Sequence, residues 1–216
     1  MNSEHLMVID PAVKKPALES YNRISRTSII PATYHLPALH GLFSIEQMRD
    51  NISGIIVMGS AASVNDNHDW QLAITQLLLE AFENNIPVMG ICYGHQLLAH
   101  ISGGEVNQLW NGKKEQGQRN VQIIENSLWG NSRSGKMIFS HQEGVTKCPD
   151  NFEITATSDM VTIDGFASKT KPIWGFQTHI EATQAFIDDH NIPINESKDI
   201  FSFGHRILDK FILSLT

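Results

Sequence analysis

The chain has little cysteine and no long apolar run. Its 216 residues include only two cysteines, Cys92 and Cys148, too few for the disulfide framework of a small secreted protein. No apolar stretch approaches the roughly 20 residues that cross a bilayer. The N-terminal sequence MNSEHLMVID lacks the basic and apolar regions of a signal peptide. We therefore expect a cytoplasmic protein that does not engage a membrane.

Positive charge is also scarce. Sixteen Lys and Arg stand against 23 Asp and Glu, which gives a net charge of −7. An acidic chain without a Lys/Arg cluster is a poor partner for a phosphate backbone, so we expect no nucleic-acid ligand. An apolar content of 41% is typical of a globular core. No repeat, linker or composition break divides the sequence, which predicts one domain over residues 1–216.

Short apolar runs alternate with stretches of helical periodicity. The sequence predicts strands at residues 5–10, 27–30, 54–58, 87–91, 121–124, 137–140, 154–158, 160–163 and 173–178. It predicts helices at residues 44–50 (capped by Ser44), 70–84, 95–102, 181–190 and 200–214. This order predicts an α/β fold with a central, mostly parallel sheet flanked by helices, plus a few antiparallel strands in the second half.

The segment Gly90-Ile91-Cys92-Tyr93-Gly94 lies between a predicted buried strand and a predicted helix. This layout is typical of a nucleophile elbow, in which flanking glycines permit a sharp turn that lifts the central side chain above the sheet. The turn also puts the sulfur at a helix N-terminus, where the dipole favours a thiolate. The alternatives are a small buried core residue, or a metal ligand together with His95, for which further ligands at suitable spacing are missing. Cys148 has no elbow around it and is interpreted as structural.

A cysteine nucleophile needs an imidazole, and the imidazole needs a group that holds its tautomer. His179 follows an apolar strand, and Glu181 stands two residues on. Because residues two apart on a strand share a face, we expect the two side chains to lie together, with Glu181 orienting His179 as the base. His141 is the rival base, although it has no carboxylate placed to orient it. We expect its loop to shape the pocket.

These segments resemble the class I glutamine amidotransferases, which carry a Cys-His-Glu triad. The segment GIIVMGSAASV at 54–64 resembles the family's oxyanion strand and loop, and GICYGHQ at 90–96 resembles the nucleophile segment of the GMP-synthetase-like branch. Ser140-His141 resembles the loop that contacts the α-amino and carboxylate end of glutamine, and QTHIE at 177–181 resembles the segment carrying the base and its orienter. The segment EQG at 115–117 resembles, more weakly, a Glu-x-Gly element of the family. The motif-bearing core covers about 54–181, with C-terminal helices at about 181–215.

The resemblance implies that Cys92 attacks the side-chain amide of glutamine, with His179 as acid and base and Glu181 orienting it. The backbone N–H groups of Tyr93 and Ser60 would hold the oxyanion. Gly59, Gln96, Ser140 and His141 would bind the substrate. No metal and no organic cofactor are implied. The sequence departs from the family at Ser60 and Ala61, which replace a Gly and a Pro, and a side chain at Ser60 would resist a flip of the oxyanion loop.

Three functions remain open at this level. The chain is either a glutaminase subunit that supplies ammonia to a separate synthetase, or a hydrolase of γ-glutamyl amides and peptides, or a degenerate binding protein. The roughly 35 residues after Glu181 are too few for a synthetase domain. We favour the amidotransferase with an unidentified acceptor, because Cys92, His179 and Glu181 are all present.

Overall fold

A computed structural model describes residues 4–195 and 199–215. The described residues contain the strands β1 His5–Ile9, β2 Ala32–His35, β3 Ile52–Val57, β4 Val88–Ile91, β5 Glu105–Gln108, β6 Glu115–Ile123, β7 Arg133–His141, β8 Glu143–Lys147, β9 Phe152–Thr157, β10 Gly165–Ser168 and β11 Ile173–Phe176. Their helices are α1 Leu18–Thr27, α2 Pro37–His40, α3 Phe43–Gln47, α4 Asp69–Glu83, α5 Tyr93–Ile101, α6 Gln184–His190 and α7 Ser202–Leu213, with a 3₁₀ turn at Trp110–Gly112.

Nine of these strands form one sheet in the order β2-β1-β3-β4-β11-β10-β9-β6-β7. The first five are parallel. From β11 onward, through β10, β9, β6 and β7, every pairing is antiparallel. Strands β10 and β6 therefore run opposite to the other seven strands of the sheet. Strands β5 and β8 form a separate antiparallel pair. The fold is therefore a single α/β domain with a mostly parallel central sheet flanked by helices, as predicted.

Both faces of the sheet are buried. Side chains alternate along each strand, and on β1 the two sets enter two different cores. Leu6 and Val8 of β1 pack into a core that contains α1 and α7 residues. Met7 and Ile9 point the other way, into a core built with α3, α4 and α5. Burial on both sides explains why the parallel strands read as continuous apolar runs in the sequence.

The strand order places a crevice at one edge of the sheet. The chain passes from β1 to β2 on one side and to β3 on the other, and ligands of open α/β sheets bind at such a switch point, beyond the carboxyl ends of the strands. Asp10 follows β1, Gly59 lies two residues after β3, and Cys92 follows β4. These three residues line the same cavity.

Two predicted strands are wrong. Residues 27–30 contain the end of α1, and the strand begins only at Ala32, after Pro31. The helix was not predicted because most of its ten residues, LESYNRISRT, are polar, and only Ser20 and Ile24 are buried. Residues 160–163 form no strand but an irregular, bent segment, and the Ser158 N–H donates a hydrogen bond to the Val161 carbonyl at 2.9 Å. The next strand is β10.

Several boundaries also differ. The helix expected at 44–50 is α3, which ends at Gln47 and has no side-chain cap; the Ser44 hydroxyl instead lies 3.0 Å from His35 Nδ1. The helix expected from residue 181 begins at Gln184, where Thr183 accepts a hydrogen bond from a backbone N–H. No helix of the described ranges combines the length and apolar character that a bilayer crossing needs.

Candidate active site

The turn between β4 and α5 carries Cys92 in a conformation that side chains seldom adopt, with φ 52° and ψ −100°. Its two glycines are required by packing. A Cβ on Gly94 would lie 2.1 Å from the Val57 carbonyl oxygen, and a Cβ on Gly90 would lie 2.5 Å from the Gly94 backbone. The strand–turn–helix layout predicted from the sequence is therefore present.

Cys92 is held at the N-terminus of α5. Its N–H donates to the Phe176 carbonyl of β11 at 2.8 Å, and only 4% of the residue is exposed. Tyr93 is the first residue of α5, so its N–H has no acceptor within the helix. The positive end of the helix dipole therefore lies beside the sulfur.

His179 and Glu181 lie in the tight turn after β11, and not on the strand as expected, because β11 ends at Phe176. The turn is fixed by a 2.8 Å hydrogen bond from the His179 N–H to the Ile138 carbonyl. His179 Nδ1 still lies 2.8 Å from Glu181 Oε1, so the predicted pairing is present although the backbone differs. Both residues are buried.

The electrostatics of this pair favour an imidazolium. Burial alone lowers the pKa of His179, but the charges of Glu181 and Cys92 and a hydrogen bond to each offset it and raise the pKa to about 10. Gly59 closes the arrangement from β3, since a Cβ there would lie 2.7 Å from His179 Cε1 and 3.6 Å from Cys92 Cβ. The loop after β3 thus packs directly against Cys92 and the imidazole of His179.

His141, the rival base, has both ring nitrogens engaged. Nδ1 lies 2.8 Å from the Glu143 carbonyl oxygen, and Nε2 lies 2.8 Å from Arg119 Nη1. A carbonyl only accepts and a guanidinium only donates, so the ring is the neutral Nδ1–H tautomer. Burial and the Arg119 charge lower its pKa to about 3. The Nε2 lone pair is therefore occupied, and the ring has no free position from which to take a proton.

A cavity of about 390 Å³ opens above Cys92. The expected substrate-binding residues Gly59, Gln96, Ser140 and His141 all line it, as do Ser60, expected at the oxyanion hole, and the pair His179 and Glu181. The Tyr93 side chain does not line it, because its hydroxyl accepts a 3.1 Å hydrogen bond from Gln71 within the core.

The sequence reasoning missed three features. Gln177, within the quoted QTHIE segment, is fully buried, with Nε2 3.6 Å from Cys92 Sγ. Arg119 forms a buried ion pair with Asp164. Asp10 fixes the loop that walls the cavity, because its carboxylate accepts hydrogen bonds from the N–H groups of Ala12 and Ala17 and from the Tyr34 hydroxyl.

The side chain of Ser60 ties the loop after β3 to that same wall. Its hydroxyl donates to the Pro11 carbonyl at 2.7 Å and accepts from the Ala62 N–H at 3.1 Å. The replacement of glycine by serine therefore adds two hydrogen bonds that hold this loop in place. Within the described residues, no three His, Cys, Asp or Glu side chains are grouped so that they could hold a metal ion.

Comparison with known proteins agrees with this architecture. The family model for glutamine amidotransferase class-I matches residues 19–195. A glutamine-hydrolyzing GMP synthase of Ligilactobacillus salivarius is 37% identical over 146 residues, 66% of this chain and 27% of that protein. A protein of Methanopyrus kandleri, named as one subunit of a glutamine-hydrolyzing GMP synthase, is 28% identical over 139 residues, 63% of this chain and 70% of that protein.

A solved structure of a glutamine amido transferase from Methylobacillus flagellatus shares the fold, with a TM-score of 0.76 at 17% identity over 98% of this chain and 94% of that one. The chain belongs to the class I glutamine amidotransferase family, a family of enzymes. It spans only about a quarter of the length of the Ligilactobacillus salivarius GMP synthase.

Proposed function

We propose that the protein hydrolyses the side-chain amide of glutamine, with Cys92 as nucleophile, His179 as acid and base, and Glu181 as the group that orients His179. The observation that carries the proposal is the shared cavity, in which a buried cysteine at a helix N-terminus lies beside an imidazole paired with a carboxylate at 2.8 Å. Membership of the amidotransferase family supports the same reaction.

The reaction starts from the Cys92 thiolate and the His179 imidazolium. The thiolate attacks the amide carbon and gives a tetrahedral oxyanion, and His179 Nε2 gives its proton to the departing nitrogen, so that ammonia leaves and a γ-glutamyl thioester remains. Neutral His179 then takes a proton from water as the oxygen attacks the thioester. Collapse of the second intermediate releases glutamate and restores both charged groups, while the new carboxyl group loses its proton to solvent.

The oxyanion needs preorganised donors. Tyr93 at the start of α5 and Ser60 on the tethered loop are proposed to supply backbone N–H groups. One such donor is worth about 3–4 kcal/mol of transition-state stabilisation in other enzymes. The Ser60 tether makes that loop rigid, which reduces the reorganisation needed when charge develops.

The substrate is proposed to lie along the cavity wall with its amide at Cys92. Gly59 and Gln96 would flank the side chain, and the Ser140-His141 turn would face the α-amino and carboxylate end. We further propose that the ammonia goes to a separate synthetase subunit in the cytoplasm. The Methanopyrus kandleri relative is named as a subunit, which supports a division of labour between chains.

The second candidate is a hydrolase of larger γ-glutamyl compounds. The cavity lining extends beyond the reacting groups to Lys14, Lys114, Phe186 and His190, and about 390 Å³ lies within the range of pockets that hold ligands larger than an amino acid. This extension would accommodate a group attached to the γ-amide.

The test is product release from glutamine and, separately, from a panel of γ-glutamyl peptides, with Cys92→Ala as the blank. Ammonia and glutamate from glutamine support the amidotransferase. Cleavage of the peptides without hydrolysis of glutamine supports the second candidate, the γ-glutamyl hydrolase. Equal release by Cys92→Ala refutes both.

A further inference from the structure

Gln177 makes a contact with the nucleophile that the triad does not explain. Its side chain is fully buried, and its Nε2 lies 3.6 Å from Cys92 Sγ, within hydrogen-bond range for sulfur. Its backbone N–H donates to the Asp164 carbonyl at 2.8 Å, which fixes where the side chain begins. The chemical question is which end of the amide faces the sulfur.

The orientation of the Gln177 amide follows from its neighbour. Gln96 Nε2 lies 2.8 Å from the Glu143 carbonyl oxygen, and a carbonyl only accepts, so Gln96 must present its NH₂ group there. The same NH₂ group lies 3.3 Å from Gln177 Oε1. Because that contact uses the oxygen of Gln177, its NH₂ group is turned toward Cys92, and the sulfur can only accept.

The Glu143 carbonyl is itself held in place. It also accepts from His141 Nδ1 at 2.8 Å, and that tautomer is set by Arg119, which donates to His141 Nε2. Arg119 is in turn paired with Asp164. Every donor and acceptor from the ion pair to the sulfur therefore has one allowed direction.

We propose that Gln177 is a further catalytic residue, whose amide N–H donates to Cys92 Sγ and keeps the sulfur as a thiolate before substrate arrives. Gln96 and Arg119 are positioning residues that set the direction of this donor. The inference rests on the proposed role of Cys92 as nucleophile. A donor to sulfur stabilises the charged form over the thiol, which cannot accept as strongly.

Other ionisable groups lie around Cys92, and the variants are chosen to leave them unchanged. They include His179 and Glu181 after β11, Arg119 on β6, His141 on β7, His95 on α5 and Asp10 after β1. The cavity lining adds Glu143, Asp189, His190 and the lysines Lys14, Lys15 and Lys114. None of them changes when Gln177 becomes Met, which has a similar volume and no donor.

The experiment measures the rate of Cys92 alkylation by iodoacetamide against pH, with the modified cysteine identified by peptide mass spectrometry. In Gln177→Met we expect the midpoint of the profile to rise by about one pH unit, and the rate on the acid limb to fall about tenfold. The plateau at high pH, where every thiol is ionised, stays the same. Gln177→Glu moves the midpoint further in the same direction, because it places a carboxylate at the sulfur.

Gln122→Met, an exposed position on β6, is the matched control and leaves the profile unchanged. Thermal unfolding establishes that each variant is folded; if Gln177→Met does not fold, Gln96→Met replaces it, with a smaller shift of the same sign. An unchanged midpoint in a folded variant overturns the proposal, and so does a lower plateau with the midpoint in place, which is the mark of a merely structural role. A wild-type Cys92 no more reactive than Cys148 refutes instead the proposed nucleophile.

Discussion

The buried ion pair between Arg119 and Asp164 allows a sharp prediction about stability. The two side chains are 3% and 0% exposed, and Arg119 also lies 4.7 Å from the centre of the Phe139 ring and donates to His141. Among the described residues, Asp164 is the only one that forms a salt bridge with Arg119. The substitution Asp164→Ala therefore leaves the Arg119 guanidinium without a paired negative charge. The remaining contacts, an aromatic face and a neutral imidazole, do not compensate a full charge.

Breaking a buried pair from one side costs about 3–5 kcal/mol of unfolding free energy. Removing both charges costs less. Burial raises the pKa of Asp164 although Arg119 opposes the shift, and burial lowers the pKa of Arg119, so desolvation outweighs the attraction in both groups. The double variant Arg119→Met/Asp164→Leu should therefore recover more than half of the loss.

The assay is equilibrium unfolding in urea, followed by far-UV circular dichroism. With a slope of about 2 kcal/mol per molar, Asp164→Ala should lower the midpoint by roughly 1.5–2.5 M. Glu105→Ala, which breaks the exposed pair with Lys147, should leave the midpoint in place. A loss of less than about 1 kcal/mol in Asp164→Ala, or a double variant less stable than the single one, would refute the reasoning.

Three further predictions concern the site. Cys92→Ala should abolish turnover while Cys148→Ala, half-buried and outside the cavity lining, keeps it; equal losses in a glutaminase assay would contradict a single nucleophile. His179→Ala should lose thioester formation in an acid-quench experiment, whereas His141→Ala should retain it at a reduced rate, and the reverse result would mean that the base is misassigned. Gly94→Ala should fail to fold, because its Cβ would lie 2.1 Å from a carbonyl oxygen; a normal melting temperature would show that the elbow is less tightly packed than described.

Sequence reasoning was most accurate where both faces of a strand are buried. The runs at 54–58 and 87–91 contain no polar side chain and correspond to β3 and β4, with every end within two residues of the prediction. It was weakest where a strand is mostly polar. β6 begins at Glu115, six residues before the predicted start. These six residues, EQGQRN, are polar and leave no apolar signature in the sequence, and antiparallel pairing with β7 holds them in the sheet.

In the candidate site, too, some features could be predicted from the sequence and others could not. The elbow at Cys92 and the contact between His179 and Glu181 could be predicted because each depends on a short local pattern, although the backbone that carries the pair is a turn and not a strand. The ion pair could not, because Asp164 lies 45 residues from Arg119. One signal was available: residues 117, 119, 121 and 123 alternate as the buried positions of β6, so Arg119 occupies an inward-facing place where an apolar residue is the norm.

The central claim is that Cys92 carries the γ-glutamyl group during the reaction. The most direct measurement mixes the protein with isotope-labelled glutamine, quenches with acid within one turnover and maps the label by peptide mass spectrometry. We predict label on the peptide that contains Cys92, and none in Cys92→Ala. Label on Cys148, or hydrolysis of glutamine by the Cys92→Ala variant, would contradict the account.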